Sequence, residues 1–287
     1  MNSPLSVAER PATAQRSDSE RTQEDLQLLD TALSLAAAAG EVLMGGLGRS
    51  LVIETKSQET DLVTKYDREA EAVIVDGLRA RYPRHRILAE EGGERPGDRD
   101  APLWIIDPLD GTTNFAHGLP LFSVSIACVV GGSARVGVVY APALGFRFAA
   151  VRGGGATCNG RPIGVSQTAA LDSALLTTGF PYDRRTSQEN NLAQFVSLKK
   201  RVRGIRRLGS AALDLSLVAA GKFDGYWEMK LKPWDIAAGL LLCEEAGGQI
   251  SNWSGGPVDL FHGEVLATNR HIHPTMLAAL SEVKTSL

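Results

Sequence analysis

The sequence predicts an α/β protein of the α+β kind, built from stacked layers of sheet and helix. Three observations predict it. The chain opens with two long helical patterns. Residues 122–151 then break into short, partly alternating runs separated by turn residues, the texture of an antiparallel meander. After Asn159-Gly160, strand-like and helix-like pieces alternate. An antiparallel half followed by an alternating half implies stacked sheet and helix layers. At 287 residues and 44% apolar content, the chain can bury a substantial core as one domain or two joined halves. The expected division is a disordered tail over 1–22, rich in Ser, Thr, Arg, Glu and Gln, and a domain over 23–287 whose halves meet near 165/166.

Taken in order, Leu26, Leu29, Leu33, Ala36, Gly40 and Leu43 recur at three- and four-residue steps, giving a long amphipathic helix that stops at Gly45-Gly46. A second helix spans about 67–81, with Ala70, Val73, Ile74 and Leu78 facing inward. Thr64-x-x-Asp67 fits its capping box. Leu103 to Ile106 reads as a buried strand that Pro108 should prevent from continuing. Phe122, Val124, Ile126, Cys128 and Val130 share one face of the next strand. Gly131-Gly132 turns into Val136–Tyr140, and Pro142 to Gly145 turns into Phe146–Val151. Strands follow at 174–178, 204–208, 226–229, 249–252 and 265–268, and helices at 188–200, 210–220, 235–246 and 273–280.

Composition narrows the function. A net charge of −3 gives no reason to expect a nucleic-acid or membrane-surface partner. No apolar run approaches the roughly 20 residues needed to span a bilayer, and Met1 to Arg21 has no apolar signal core. Cys128, Cys158 and Cys243 form no C-x-x-C pair, and an odd number argues against a disulfide framework. A cytoplasmic location is expected.

The most informative stretch is Trp104-Ile105-Ile106-Asp107-Pro108-Leu109-Asp110-Gly111-Thr112-Thr113-Asn114-Phe115. It places Asp107 and Asp110 at a strand's end, where α/β proteins bind ligands. Two carboxylates 4 Å apart repel by about 4 kcal/mol at an effective dielectric of 20. A hard divalent cation would compensate. Gly111, Thr112 and Thr113 add backbone N–H groups and hydroxyls suited to an anion beside that cation. A plain turn is the bland reading, since Asp, Pro and Gly all favour turns. An EF-hand loop is excluded, because its alternating oxygens and closing Glu are missing. The aspartyl nucleophile motif D-x-D-G-T of haloacid-dehalogenase-type phosphatases is disfavoured: its aspartates are two residues apart, these three.

Further acids are ambiguous one at a time. Glu90 follows the apolar Ile87-Leu88 and ends a strand, or belongs to a solvated acidic turn. Asp235 opens a helix after Pro233 and could be its N-cap. Lys56 reads as an exposed lysine. Together, Asp61-Leu62-Val63-Thr64…Asp67, Ala89-Glu90-Glu91, the 104–115 block, Gly209-Ser210-Ala211-Ala212 and Trp234-Asp235-Ile236-Ala237-Ala238-Gly239…Glu245-Ala246-Gly247-Gly248 resemble the inositol monophosphatase family. These are magnesium-dependent, lithium-sensitive phosphomonoesterases related to fructose-1,6-bisphosphatase. The resemblance covers about residues 25–280.

It implies an α-β-α-β-α sandwich and two or three Mg²⁺ ions. Glu90, Asp107 and the carbonyl of Leu109 would bind the first ion. Asp107, Asp110 and Asp235 would bind the second, and Glu90 would help hold a third through water. Thr112, supported by Asp67, would orient the attacking water, making Thr112, Asp67 and Glu90 the catalytic set. Gly111, Thr112 and the neighbouring Thr113 amide would hold phosphate oxygens. Asp110, the turn Gly209, Ser210 and Ala211, and Glu228 would contact substrate hydroxyls. Lys230 and Lys232 could favour a second anionic group or be ordinary loop lysines. Arg184 and Arg185 could reach the site from a partner, since these enzymes are commonly homodimers. The expected reaction is hydrolysis of a small phosphomonoester by a metal-activated water. Inositol-1-phosphate is the first choice, and L-histidinol-phosphate or another sugar or nucleotide phosphate the alternative. A non-catalytic regulator on the same fold is the reading from a different class.

Overall fold

The computed structural model describes residues 18–49, 53–55 and 62–284. Helix α1 (Asp18–Gly46) starts inside the stretch read as a tail, because Glu20, Arg21, Gln23 and Glu24 are good helix formers that carry the helix back beyond the apolar pattern. Residues 1–17, Lys56 and Asp61 lie outside the described residues. The buried stripe of α1 is Leu28, Ala32, Leu35, Ala36, Ala39 and Leu43, whereas Leu26 is exposed. The helix is apolar around much of its girth, so its sequence fits more than one phase, and contact with the sheet selects one. By length and a mean hydropathy of 1.4, Thr22–Gly46 would also suffice to cross a membrane. This corrects the expectation of no such stretch, because Leu and Ala between scattered polar residues such as Asp30, Ser34 and Glu41 keep the mean hydropathy high. In this fold its stripe is packed in the core.

A short hairpin of β1 (Ile53–Thr55) and β2 (Leu62–Thr64) leads into α2 (Lys65–Arg81). An eight-stranded sheet follows: β3 (Arg86–Ala89), β4 (Gly93–Arg95), β5 (Leu103–Asp110), β6 (Ser123–Val130), β7 (Ser133–Ala141), β8 (Phe146–Val151), β9 (Gly155–Cys158) and β10 (Arg161–Pro162). Their order is β10-β9-β8-β7-β6-β5-β3-β4. The expected meander is β6-β7-β8. The five-stranded sheet, in order β12-β11-β13-β15-β14, contains β11 (Leu175–Thr178), β12 (Gly204–Arg206), β13 (Gly225–Glu228), β14 (Gln249–Ser251) and β15 (Val265–Thr268).

The core divides among the layers. Alternate residues of β6 face opposite ways: Val124, Ile126 and Cys128 pack under α1 and α2, while Ala127 faces α5 (Ala211–Ala219) and α6 (Pro233–Glu245). These two helices fill the space between the sheets. The far face of the second sheet carries α4 (Leu192–Lys199) and α7 (His273–Lys284) over Leu176, Trp227 and Leu266. The result is the α-β-α-β-α sandwich. Each fully buried Leu or Ile in it contributes about 1.5–3 kcal/mol relative to exposure.

Two boundaries differ from expectation. α4 starts at Leu192 rather than 188, because Asn191 takes the left-handed φ of 66° and uses its buried amide to accept from Trp227 Nε1 at 2.8 Å. Strand β5 continues past Pro108. Asp107 pairs with Ser125 and Asp110 with Ser123, so three steps on β5 face two on β6. The extra residue is a bulge that accommodates the missing proline N–H. Leu109 turns its own N–H inward to Asp107 Oδ1 at 2.9 Å.

Candidate active site

The site lies where β3, β5, β11 and β13 end and α5 and α6 begin. These ends enclose a cleft of about 250 Å³, lined by Glu90, Asp107, Asp110, Thr112, Glu228 and Asp235 among others. Parallel pairing of β3 with β5 sets Ala89 opposite Ile106, and Glu90 N–H donates to the Ile106 carbonyl at 3.1 Å. Glu90 therefore stands beside Asp107, as the strand-end reading requires. The bulge turns Asp110 toward the second half of the molecule. There its Oδ2 accepts Ser210 Oγ at 2.7 Å and the Ala212 N–H at 2.7 Å. Asp235 is the third residue of α6, not its N-cap; it reaches back to the Lys232 N–H at 2.7 Å.

The electrostatics are those of charge awaiting a cation. Asp107 is 1% exposed. Burial, then the charges of Glu90, Asp110 and Asp235, push its carboxyl well above the ordinary range. Asp235 is raised in the same way by burial and by Asp110 and Glu90. Asp110 is raised to about 6 by burial, against the pull of Ser210 and the Ala212 amide. Among the described residues no three His, Cys, Asp or Glu side chains close into a ready-made cage. The acids ring the cleft instead. An oxygen-only donor set, with neither His nor Cys in the lining, fits magnesium, which keeps several waters and takes few carboxylates.

Thr112 begins the short helix α3 (Thr112–Ala116). Gly111 before it has φ 100°, and a Cβ there would meet the Leu121 carbonyl at 3.0 Å, so only glycine fits this turn. Thr112 Oγ1 lies 3.0 Å from both Asp67 Oδ1 and the Leu109 carbonyl, and its single proton serves one at a time. The Thr64–Asp67 capping box is present. Thr113 is exposed and outside the cleft lining, which leaves its backbone N–H as its one route to a ligand.

On the opposite wall, Glu228 ends β13. Tyr226 Oη donates to its Oε2 at 2.7 Å, and burial raises its carboxyl to about 7. A Cβ on Gly179 would sit 2.1 Å from that oxygen, so glycine makes the room Glu228 occupies. Ser210 is buried, caps α5 through the Leu213 N–H and donates to Asp110; its hydroxyl supports the acid. Lys230 is tied to Asp183 at 2.7 Å and Ser187 at 2.8 Å, whereas Lys232 is exposed in the lining. Arg184 donates to the Pro181 carbonyl, and neither it nor Arg185 lines the cleft.

Sequence reasoning passes over several contributors. Asp214 lines the cleft, 1% exposed, and accepts from Thr177 at 2.6 Å; in sequence it reads as one polar residue in an apolar helix. Arg207 lines the cleft but is lost among neighbouring basic residues. Asn114 joins the halves by donating to the carbonyls of Leu121 at 2.6 Å and Leu208 at 2.7 Å.

Residues 24–285 match the model of the inositol monophosphatase family. The chain is 48% identical over 259 residues to an inositol-1-monophosphatase from Synechocystis, covering 90% of each. It is 45% identical to the Nus factor SuhB of Pseudomonas aeruginosa, over 88% of this chain and 95% of that one. Its structure is similar to that of an inositol monophosphatase from Anabaena, with a TM-score of 0.82 and 46% identity over 90% of this chain and 96% of the other.

Proposed function

The chain belongs to the inositol monophosphatase family and is a phosphatase of small phosphomonoesters; from that premise we propose that its substrate is inositol-1-phosphate, released as inositol and phosphate. The family is magnesium-dependent. Glu90, Asp107 and the Leu109 carbonyl are the residues to hold one ion; Asp107, Asp110 and Asp235 are those to hold a second. Bound magnesium supplies Lewis-acid stabilisation of the phosphoryl charge and a more acidic water.

The protein's own groups do the rest. The Thr112 hydroxyl, held by Asp67, orients the attacking water in line with the leaving oxygen. The backbone N–H groups of Gly111, Thr112 and Thr113 hold phosphate oxygens, and Asp110, the Gly209–Ala211 turn and Glu228 position the leaving group.

The observation that carries the choice of inositol is Glu228. Among the described residues its carboxylate receives one hydrogen bond, from Tyr226 to Oε2, which leaves Oε1 to accept from a substrate hydroxyl. A homodimer, lithium sensitivity and a cytoplasmic setting go with the family reading, the last helped by three unpaired cysteines. The relative called Nus factor SuhB motivates a second reading, in which the chain acts as such a factor and catalysis is dispensable. Phosphate release from inositol-1-phosphate, L-histidinol-phosphate and other phosphomonoesters with Mg²⁺ decides. The proposal expects the highest kcat/KM on inositol-1-phosphate; preference for L-histidinol-phosphate overturns the substrate, and inactivity on the whole panel favours the second reading.

A further inference from the structure

Arg207 stands on the leaving-group wall without an assigned task. It follows β12, the edge strand of the five-stranded sheet, and lines the cleft together with Asp110, Asp214 and Glu228. Its neighbour Arg206 points elsewhere, donating from Nη1 to the Ile205 carbonyl at 3.2 Å. Arg207 instead folds over the turn that follows it: a Cβ on Gly209 would lie 2.4 Å from its Nη1. That turn is pinned, because Asn114 holds the Leu208 carbonyl at 2.7 Å. The backbone next to Arg207 is thus held against the half of the molecule that carries Asp107 and Asp110. Its positive charge opposes the effect of burial on Asp110, Asp214 and Glu228, which places it within electrostatic reach of all three.

A planar group with several N–H donors that lines the same cleft as a carboxylate with an available oxygen is matched to a pair of neighbouring hydroxyls. One hydroxyl accepts from Arg207 while its neighbour donates to Glu228 Oε1. A leaving group bearing an ammonium would bring a positive charge against the guanidinium, with the exposed Lys232 on the same cleft. Resting on the phosphomonoesterase reading of this cleft, we infer that Arg207 is a specificity-determining residue that selects leaving groups with adjacent hydroxyls and rejects cationic ones. The substrate class it assigns is the phosphorylated neutral polyol.

The test is a specificity ratio measured at saturating Mg²⁺: kcat/KM on inositol-1-phosphate divided by kcat/KM on p-nitrophenyl phosphate, which has no hydroxyls to recognise. Arg207→Ala should lower this ratio about 10- to 100-fold, the range expected for loss of a charged hydrogen bond, mainly through a higher KM for the polyol. It should also raise the relative rate on L-histidinol-phosphate. Arg207→Lys keeps the charge and loses the fork, so its ratio should fall between. It also carries the test if the alanine variant melts early. A binding readout is independent of turnover: free inositol should raise the Tm of the parent with Mg²⁺ more than that of either variant. Equal losses on both substrates, or an unchanged ratio, overturn the inference. A parent that cleaves p-nitrophenyl phosphate but not inositol-1-phosphate overturns it while leaving the phosphatase reading standing. A parent that cleaves neither removes both.

Discussion

Asp67 Oδ1 accepts the Thr112 hydroxyl at 3.0 Å, while Asp67 Oδ2 is held by the Thr64 N–H at 2.8 Å and the Thr64 hydroxyl at 2.7 Å. The capping and catalytic readings of Asp67 are therefore not alternatives. One oxygen closes the capping box of α2, and the other points Thr112 into the cleft, so that a helix start fixes the orientation of a hydroxyl 45 residues away.

This sharing predicts a split between stability and rate. Asp67→Asn should lose about 0.5–2 kcal/mol of stability from the capping box and also most of kcat. Thr112→Ala should lose a similar share of kcat with little change in Tm, and the double variant should be no slower than the worse single one, as members of one unit behave. A fully active Asp67→Asn would leave Asp67 with the cap alone.

Crowding of acids predicts that one of them destabilises the metal-free protein. Asp107→Asn removes a charge facing Glu90, Asp110 and Asp235. Without Mg²⁺ its Tm should exceed the parent's, by a relief on the order of 1–4 kcal/mol. Thermal melts in chelator check this, and a lower Tm would show that the repulsion is already compensated.

The same acids set a pH dependence. Their carboxyls are raised in the folded protein, Asp110 from 3.8 to about 6, and Asp107 and Asp235 well above the ordinary carboxylate range. A raised acid contributes stability below its unfolded pKa and loses it as pH climbs through the folded one. As pH climbs from about 4 through about 6 the metal-free protein should lose the Asp110 contribution. Mg²⁺ needs the ionised acids, so the Tm increase it gives should be larger at pH 8 than at pH 5.5. An increase that shrinks with pH would contradict the assignment.

Direct attack by water predicts that no phosphoenzyme accumulates. Rapid quenching with radiolabelled substrate should find no protein-bound label; label on Asp107 would restore the aspartyl mechanism.

What the sequence made legible is local. The 104–115 block exposed Asp107, Asp110 and Thr112 because a proline and a glycine interrupt an apolar strand, and the meander over 122–151 showed through its alternation. What stayed hidden depends on tertiary contact. Pro108 reads as a strand end, yet the bulge against Ser125 and Ser123 lets β5 resume. The phase of α1 was set by the sheet beneath it, because Leu26, Leu29 and Leu33 fit a helical stripe as well as Leu28, Ala32 and Leu35 do. Asp214, Arg207 and Asn114 carry no local signal at all: a buried acid, one arginine among several and a motif asparagine acquire meaning only when the two halves close on each other.

The central claim is that Glu90, Asp107, Asp110 and Asp235 hold magnesium for phosphomonoester hydrolysis. Phosphate release from inositol-1-phosphate, followed as Mg²⁺ is titrated into the parent and into Asp107→Asn, tests it most directly. Release by the parent should require Mg²⁺ and saturate with it, and folded Asp107→Asn should give none above background at any Mg²⁺ concentration. Comparable release by the two proteins at saturating Mg²⁺, or release by the parent in chelator, would contradict it.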